Sequence, residues 1–294
     1  MRARTLVAIV ACAVVALVGA VAVSHLFGKG LPGLPPERIE GCTATADGVA
    51  TLDLEQMANA ATIVAVGIRR GVPERGEVVA LATALQESKL RNLPFGDRDS
   101  VGLFQQRPSQ GWGSVSEISD PRYAAGKFYT ALLRVHGWDR MSITDAAQAV
   151  QRSGAPSAYQ KWAAEATILA HALAGDETAA VACSVSEDPV GRGAVAMQAL
   201  TTNVHLDWGD KIGRSSPTVP GSFVLTAPNK RTGWQYAHWL VAHAQDSGVA
   251  SVTFANLRWT AKSGIWQAPP PTTTSTATPA AGIPPDTVVA QVFG

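Results

Sequence analysis

Charge is scarce in this chain of 294 residues: only 16% are Asp, Glu, Lys or Arg, and 24 basic residues stand against 23 acidic ones, a formal net charge of +1. With no basic excess and no Arg/Lys run to track phosphates, no nucleic-acid partner is expected. Cysteine is rarer still, with Cys12, Cys42 and Cys183 and no Cys-x-x-Cys pair. The histidines are scattered and none stands in a His-Glu-x-x-His string. No metal site and no cofactor is therefore expected. Ser109, Ser114 and Ser116 lack a nucleophile elbow, which leaves a Ser/His/Asp enzyme unsupported. No repeat of fixed period is present.

What the chain does have begins with an apolar N-terminus. Arg2 and Arg4 precede Thr5–Phe27, which carries no Asp, Glu, Lys or Arg and at about 1.5 Å per residue spans roughly 34 Å, enough for a bilayer core. The expectation is a single anchor over residues 1–28 that spans the bacterial cytoplasmic membrane, with its N-terminus in the cytoplasm and the rest of the chain outside. Secretion after cleavage near Ala20-Val21-Ala22 is the alternative. Residues 29–41, rich in Pro and Gly, read as a stiff spacer. Cys12 lies in the apolar run as a small hydrophobe. In an oxidising compartment Cys42 and Cys183 read as a disulfide, with two unpaired buried thiols as the alternative.

From residue 42 to 183 the apolar spacing is helical. Leu54, Met57, Ala58, Ala61, Val64, Ala65 and Ile68 mark one helix, with Asp53 as its cap and Gly71 as its stop. Pro73 opens the next, to about Leu90, and Asp120-Pro121 a third. Ser142 or Thr144 starts a short helix, and Pro156 the last, through Tyr159 and Trp162. The region reads as an all-α domain. Residues 190–267 alternate strand (222–226), helix (232–247) and strand (249–255), which points to a small α/β domain. Residues 268–294 begin with a Pro/Thr-rich run and read as a disordered tail. The fold class is mainly α: a transmembrane helix, an all-α domain, then a small α/β domain.

The chemistry concentrates in Ala80–Gln110. A helix ends in Glu87-Ser88, a Gly/Asp loop follows, and Gly102-Leu103-Phe104 leads into Gln105-Gln106. Apolar neighbours such as Leu85, Leu90 and Leu93 suit an acid that must keep its proton. This arrangement of Glu-Ser followed by Gly-Leu-Phe-Gln resembles the lysozyme-like lytic transglycosylases of bacterial cell walls, over about Leu54–Leu173. The resemblance implies a lysozyme-like fold, Glu87 as the single catalytic acid and base, and peptidoglycan glycan strands as substrate. It implies a substrate-binding wall from Ser88, Gly102, Leu103, Phe104, Gln105 and Gln106. The family's third motif, Tyr-Asn-Ala-Gly and a tyrosine, corresponds here to Ala149–Gly154 and Tyr159, where Gln151 replaces the Asn. Trp112, in a Gly-flanked loop, is a candidate sugar platform, or else a plug on the core. Asp97 and Asp99 are the only nearby candidates for a second carboxylate and read as loop chemistry.

Residues 238–266 resemble a C-terminal module of secreted cell-wall proteins, here without the His/Asp-rich segment that follows in fuller versions. Trp234, Trp239, Trp259 and Trp266 concentrate in this part. The expected activity is peptidoglycan lytic transglycosylase or muramidase. The alternative is a non-catalytic glycan-binding scaffold that recruits other cell-wall enzymes as partners.

Overall fold

The described residues open on a hairpin. In the computed structural model, β1 (Gly41–Thr45) and β2 (Val49–Leu52) pair antiparallel with Cys42 opposite Leu52. Alternation turns Cys42, Ala44, Ala50 and Leu52 inward and Thr43 and Thr51 to solvent. The structure describes residues 40–154, 157–185, 189, 191–210, 212–214, 221–268 and 284–294.

Six α-helices come next, and four of them start on a side-chain cap. Asp53 accepts from the Gln56 N–H at 2.9 Å while the Gln56 amide oxygen accepts from the Asp53 N–H at 3.0 Å, a reciprocal cap that opens α1 (Leu54–Arg69). α2 (Glu74–Ser88) follows Pro73, and a single-turn helix, α3 (Val115–Ile118), follows Ser114. α4 (Pro121–Leu132) is capped by Asp120, and α5 (Ile143–Gln151) by Ser142. α6 (Ala163–Leu173) leads to β3 (Val181–Ser184), which pairs antiparallel with β1 to give the sheet order β2-β1-β3. Cys183 falls directly opposite Cys42 in that register, and the two form a disulfide that closes 141 positions of chain. In the loop-entropy picture a ring of that size constrains the unfolded chain by roughly 4–5 kcal/mol.

The second half adds α7 (Gly193–Trp208), β4 (Gly213–Arg214), β5 (Ser222–Thr226), α8 (Lys230–Ala242), α9 (Ala244–Ser247), β6 (Val249–Phe254), β7 (Leu257–Thr260), β8 (Trp266–Gln267) and β9 (Thr287–Val292). They form one sheet in the order β4-β5-β9-β6-β7-β8, with antiparallel neighbours throughout. β5 and β6 thus run in the same direction around β9, with α8 as their crossover. α1 is buried from Met57 to Gly67 except at Ala58, and it packs against α2, α4, α7 and α8. Residues 40–294 form one compact unit.

The two sheets are tied by side chains. The Trp259 indole donates to the Cys183 carbonyl at 3.1 Å and the Trp266 indole to the Val181 carbonyl at 2.8 Å. His238 is fully buried, donating from Nδ1 to the Ala172 carbonyl at 2.7 Å and accepting at Nε2 from the Ala180 N–H at 2.9 Å. Burial drives its pKa down to about 3, against the pull of the Ala172 carbonyl, so the imidazole stays neutral.

Four expectations are corrected. The all-α reading of residues 42–183 fails because β1, β2 and β3 frame the helices, and the whole is mixed α and β. Among the described residues no helix is long and apolar enough to cross a membrane. The anchor expected at residues 1–28 lies, like most of the spacer 29–41, outside the described residues, and the single-pass location is withdrawn with it. The last residues of the presumed tail are a strand: Val288 and Ala290 are fully buried in β9, which lies between β5 and β6. The final helix of the first half starts at Ala163, after a 3-10 turn over Gln160–Trp162, which places Tyr159 before the helix; Pro156 lies outside the described residues.

Two outcomes follow. Ending the chain at Gln267 removes an interior strand of the larger sheet and is expected to abolish cooperative thermal unfolding. A disordered tail would leave the transition unchanged. Glu77, in α2, is 2% exposed and its Oε2 has no hydrogen-bond partner. Burial, then Glu74, push its pKa up to about 8, with Arg231 opposing and Asp176 adding to the rise. A folded-state pKa above the unfolded one gives stability that is complete below about pH 4.5 and is lost as pH rises through about 8, at up to about 1.4 kcal/mol per unit. Unfolding midpoints of Glu77→Gln, measured from pH 5 to 9, are expected to lack that fall.

Candidate functional site

α2 ends on an unusual turn. The Lys89 N–H bonds the Leu85 carbonyl and the Leu90 N–H reaches back to the Ala84 carbonyl, both at 3.2 Å, which is the Schellman closure of a helix. The left-handed position of that closure favours glycine, yet Lys89 (φ 56°) occupies it and Leu90 (φ 59°) repeats it. Two amides from α1 hold the turn: Gln56 donates to the Lys89 carbonyl at 2.9 Å and Asn59 to the Leu90 carbonyl at 2.7 Å. This fixes the direction in which Glu87 and Ser88 leave the helix.

The second segment is a tight turn. Val101 and Gln106 exchange backbone hydrogen bonds of 3.0 and 3.1 Å, enclosing Gly102–Gln105. Gly102 has φ 77°, and a Cβ there would lie 2.6 Å from the Ile118 carbonyl oxygen, so the position requires glycine. Leu103 and Phe104 are fully buried, with Phe104 stacked on Phe128 at 4.8 Å between centroids. Gln106 is also buried and donates to the Ala124 carbonyl at 3.1 Å. These side chains, expected to line the substrate wall, instead anchor the turn from inside, because an apolar pair beside a left-handed turn gains more from the core than from solvent.

Three hydrogen bonds tie the predicted motifs together. Ser88 directs its hydroxyl to the Leu103 carbonyl at 2.7 Å, with the Ala84 carbonyl 3.1 Å away. Gln151 donates to the Phe104 carbonyl at 2.7 Å. Tyr159 donates its hydroxyl to Glu87 Oε1 at 2.7 Å. Gln151 therefore braces the second motif, and Tyr159 is bonded to the acid. Burial, with Glu87 adding to it and Ser153 opposing, raises the Tyr159 pKa above the usual phenol range, which keeps it a donor. Gln148 and Ser153 exchange hydrogen bonds of 2.9 and 3.0 Å and shape the turn before Tyr159. Glu87 itself is half-buried.

Gln105 is half-buried, donates to the Gly102 carbonyl at 3.2 Å, and occupies the space a side chain on Gly96 would need. Next to Gly96, Phe95 is 74% exposed, an aromatic face that the sequence reading passed over because no periodic neighbour marked it. Trp112 is half-buried against the core, and its carbonyl accepts from Tyr123 at 3.3 Å. Asp99 accepts from Arg107 and from the Ser109 N–H, both at 2.8 Å; these contacts hold its carboxyl well below the usual range and commit it to the loop. The Asp97 side chain is exposed. Sequence reasoning also missed Gln86, which accepts from the Trp162 indole at 3.0 Å beside the acid.

Removing the Ser88 hydroxyl strands the buried Leu103 carbonyl. Ser88→Ala is expected to cost about 1–3 kcal/mol in denaturant unfolding. A change under about 0.5 kcal/mol, the range of an ordinary surface substitution, would show that the two motifs are not coupled through it.

No family model matches this chain, and no curated protein is detectably similar to it.

Proposed function

We propose that this chain cleaves peptidoglycan glycan strands as a lytic transglycosylase, with Glu87 as its single acid and base. The observation that carries the reading is the 2.7 Å hydrogen bond from Tyr159 to Glu87 Oε1. It occupies one carboxyl oxygen and leaves Oε2 to hold the working proton. The reading is also supported by Asp97 and Asp99, since one is exposed and the other engaged by Arg107, which places neither of the two as the second carboxylate of a hydrolysis. The Cys42–Cys183 bridge suits an oxidising compartment, where such a substrate lies.

In the proposed reaction, Glu87 donates its proton to the oxygen linking N-acetylmuramic acid to N-acetylglucosamine, and the C1–O bond breaks. The Glu87 carboxylate then removes the proton from the muramic C6 hydroxyl, whose oxygen closes onto C1. The products are a 1,6-anhydro end and a new hydroxyl on the leaving sugar, with Glu87 protonated again. No water is consumed. Tyr159 stays a hydrogen-bond donor throughout and holds the carboxyl in one rotamer.

Purified peptidoglycan incubated with the protein is expected to yield anhydro-muropeptides by mass spectrometry, and none with Glu87→Gln. Tyr159→Phe removes one hydrogen bond to a charged group and is expected to lower kcat by about 10- to 150-fold. Reducing ends in place of anhydro ends would assign a hydrolase. Binding without product would overturn both and leave the glycan-binding reading.

A further inference from the structure

One cluster beside Glu87 has no part in the reaction just described. Lys89 Nζ lies 4.2 Å from the centroid of the Trp162 ring and Lys161 Nζ lies 5.3 Å from the same centroid. The ring is held in place by the 3.0 Å hydrogen bond from its indole to Gln86, the residue before the acid. Two like charges thus lie against one aromatic ring, and among the described residues neither ammonium belongs to an ion pair with a carboxylate. Burial and then Lys161 draw the Lys89 pKa below its ordinary value, with Glu165 and Glu87 opposing. Lys89 and Lys161 are both exposed, and Trp162 is half-exposed.

The backbone points the same way. Lys89 stands at a left-handed position where glycine would be unstrained, so a side chain is kept there at a conformational cost. That side chain folds back along the helix end, donating to the Leu85 carbonyl at 3.0 Å and presenting its charge beside Trp162. A helix stop alone would not require it.

We propose that Lys89 and Lys161, set against the Trp162 ring next to Glu87, recognise an anionic substituent carried on the glycan strand. This deepens the reading of Glu87 as a peptidoglycan-cleaving acid and rests on it. The shared ligand chemistry is a negative oxygen group, from either a carboxylate of the sugar's acyl or peptide substituent or a phosphodiester linking another polymer to the strand. An ammonium pair on a rigid aromatic plate binds such a group by charge-assisted hydrogen bonds.

The test separates recognition from turnover by measuring binding in the Glu87→Gln protein. Soluble strands are prepared in three forms: untreated, with carboxyls amidated by carbodiimide coupling, and with phosphodiester-linked polymers removed by acid. Lys89→Gln with Lys161→Gln is expected to weaken binding of untreated strands by about tenfold and to leave binding of the form lacking the recognised anion unchanged. Whichever treatment erases the difference identifies the source. Lys161→Gln alone, which touches no backbone, is expected to show part of the loss. Lys89→Gly relieves the left-handed strain, so it is expected to weaken binding without lowering the unfolding midpoint, and Lys89→Arg to restore most of it. Equal affinity of wild-type and lysine variants for untreated strands, or an equal loss on all three forms, would overturn the proposal. If the protein with Glu87 intact binds untreated strands through the lysines yet releases no product, the transglycosylase reading fails while the anion site stands.

Discussion

One buried carboxyl group holds the described chain together. Asp207 on α7 is fully buried and accepts from three helices: Thr62 of α1 at 3.0 Å, Trp239 of α8 at 2.8 Å and Arg122 of α4 at 2.5 Å. Arg122 also donates to Asn203, and Asn203 to Ser247. His243 joins with Nδ1 2.9 Å from Asp246 and Nε2 3.3 Å from Thr62. Removing one partner of such a buried pair leaves the other uncompensated, typically at about 3–5 kcal/mol. The network spans segments far apart in the chain, so the helical region and the larger sheet stand or fall as one unit.

That rigidity bears on the site. Glu87 sits at the end of α2, and α2 packs against α1, the helix that carries Thr62 into the network. From α1 also come Gln56 and Asn59, which secure the strained turn at Lys89 and Leu90. Ser88, Gln151 and Tyr159 then close the motifs onto one another through two buried carbonyls and the acid. Strained backbone persists where surrounding contacts over-determine it, and here hydrogen bonds from a buried helix do so. The acid is positioned by parts of the chain that carry no chemistry themselves.

Much of this was legible in the residues. Caps at Asp53, Asp120 and Ser142 placed three helix starts, because capping is a local contest between side chain and backbone. Tyr159 was singled out only through a resemblance; no periodicity could have brought it to Glu87. The strand at Thr287–Val292 was obscured by the Pro/Thr run before it, and six residues show no period long enough to separate strand from coil. β1 and β2 were missed for the same reason, being short and built from Thr and Ala. Leu103, Phe104 and Gln106 were read as facing substrate because sequence order does not tell the inner wall of a turn from the outer one.

By itself, then, the sequence determined the helix starts capped by Asp53, Asp120 and Ser142, the stop and start signals around Ala80–Gln110, and the cysteine pair open to bridging. Each depends on interactions within a few residues or on chemical identity. Only the tertiary structure decided which side chains meet: Cys42 across from Cys183, β9 between β5 and β6, Tyr159 on Glu87, Lys89 and Lys161 on one indole. Those contacts join positions whose separation carries no local energy. They form only when burial of the shared core offsets the entropy of closing the long loops between them.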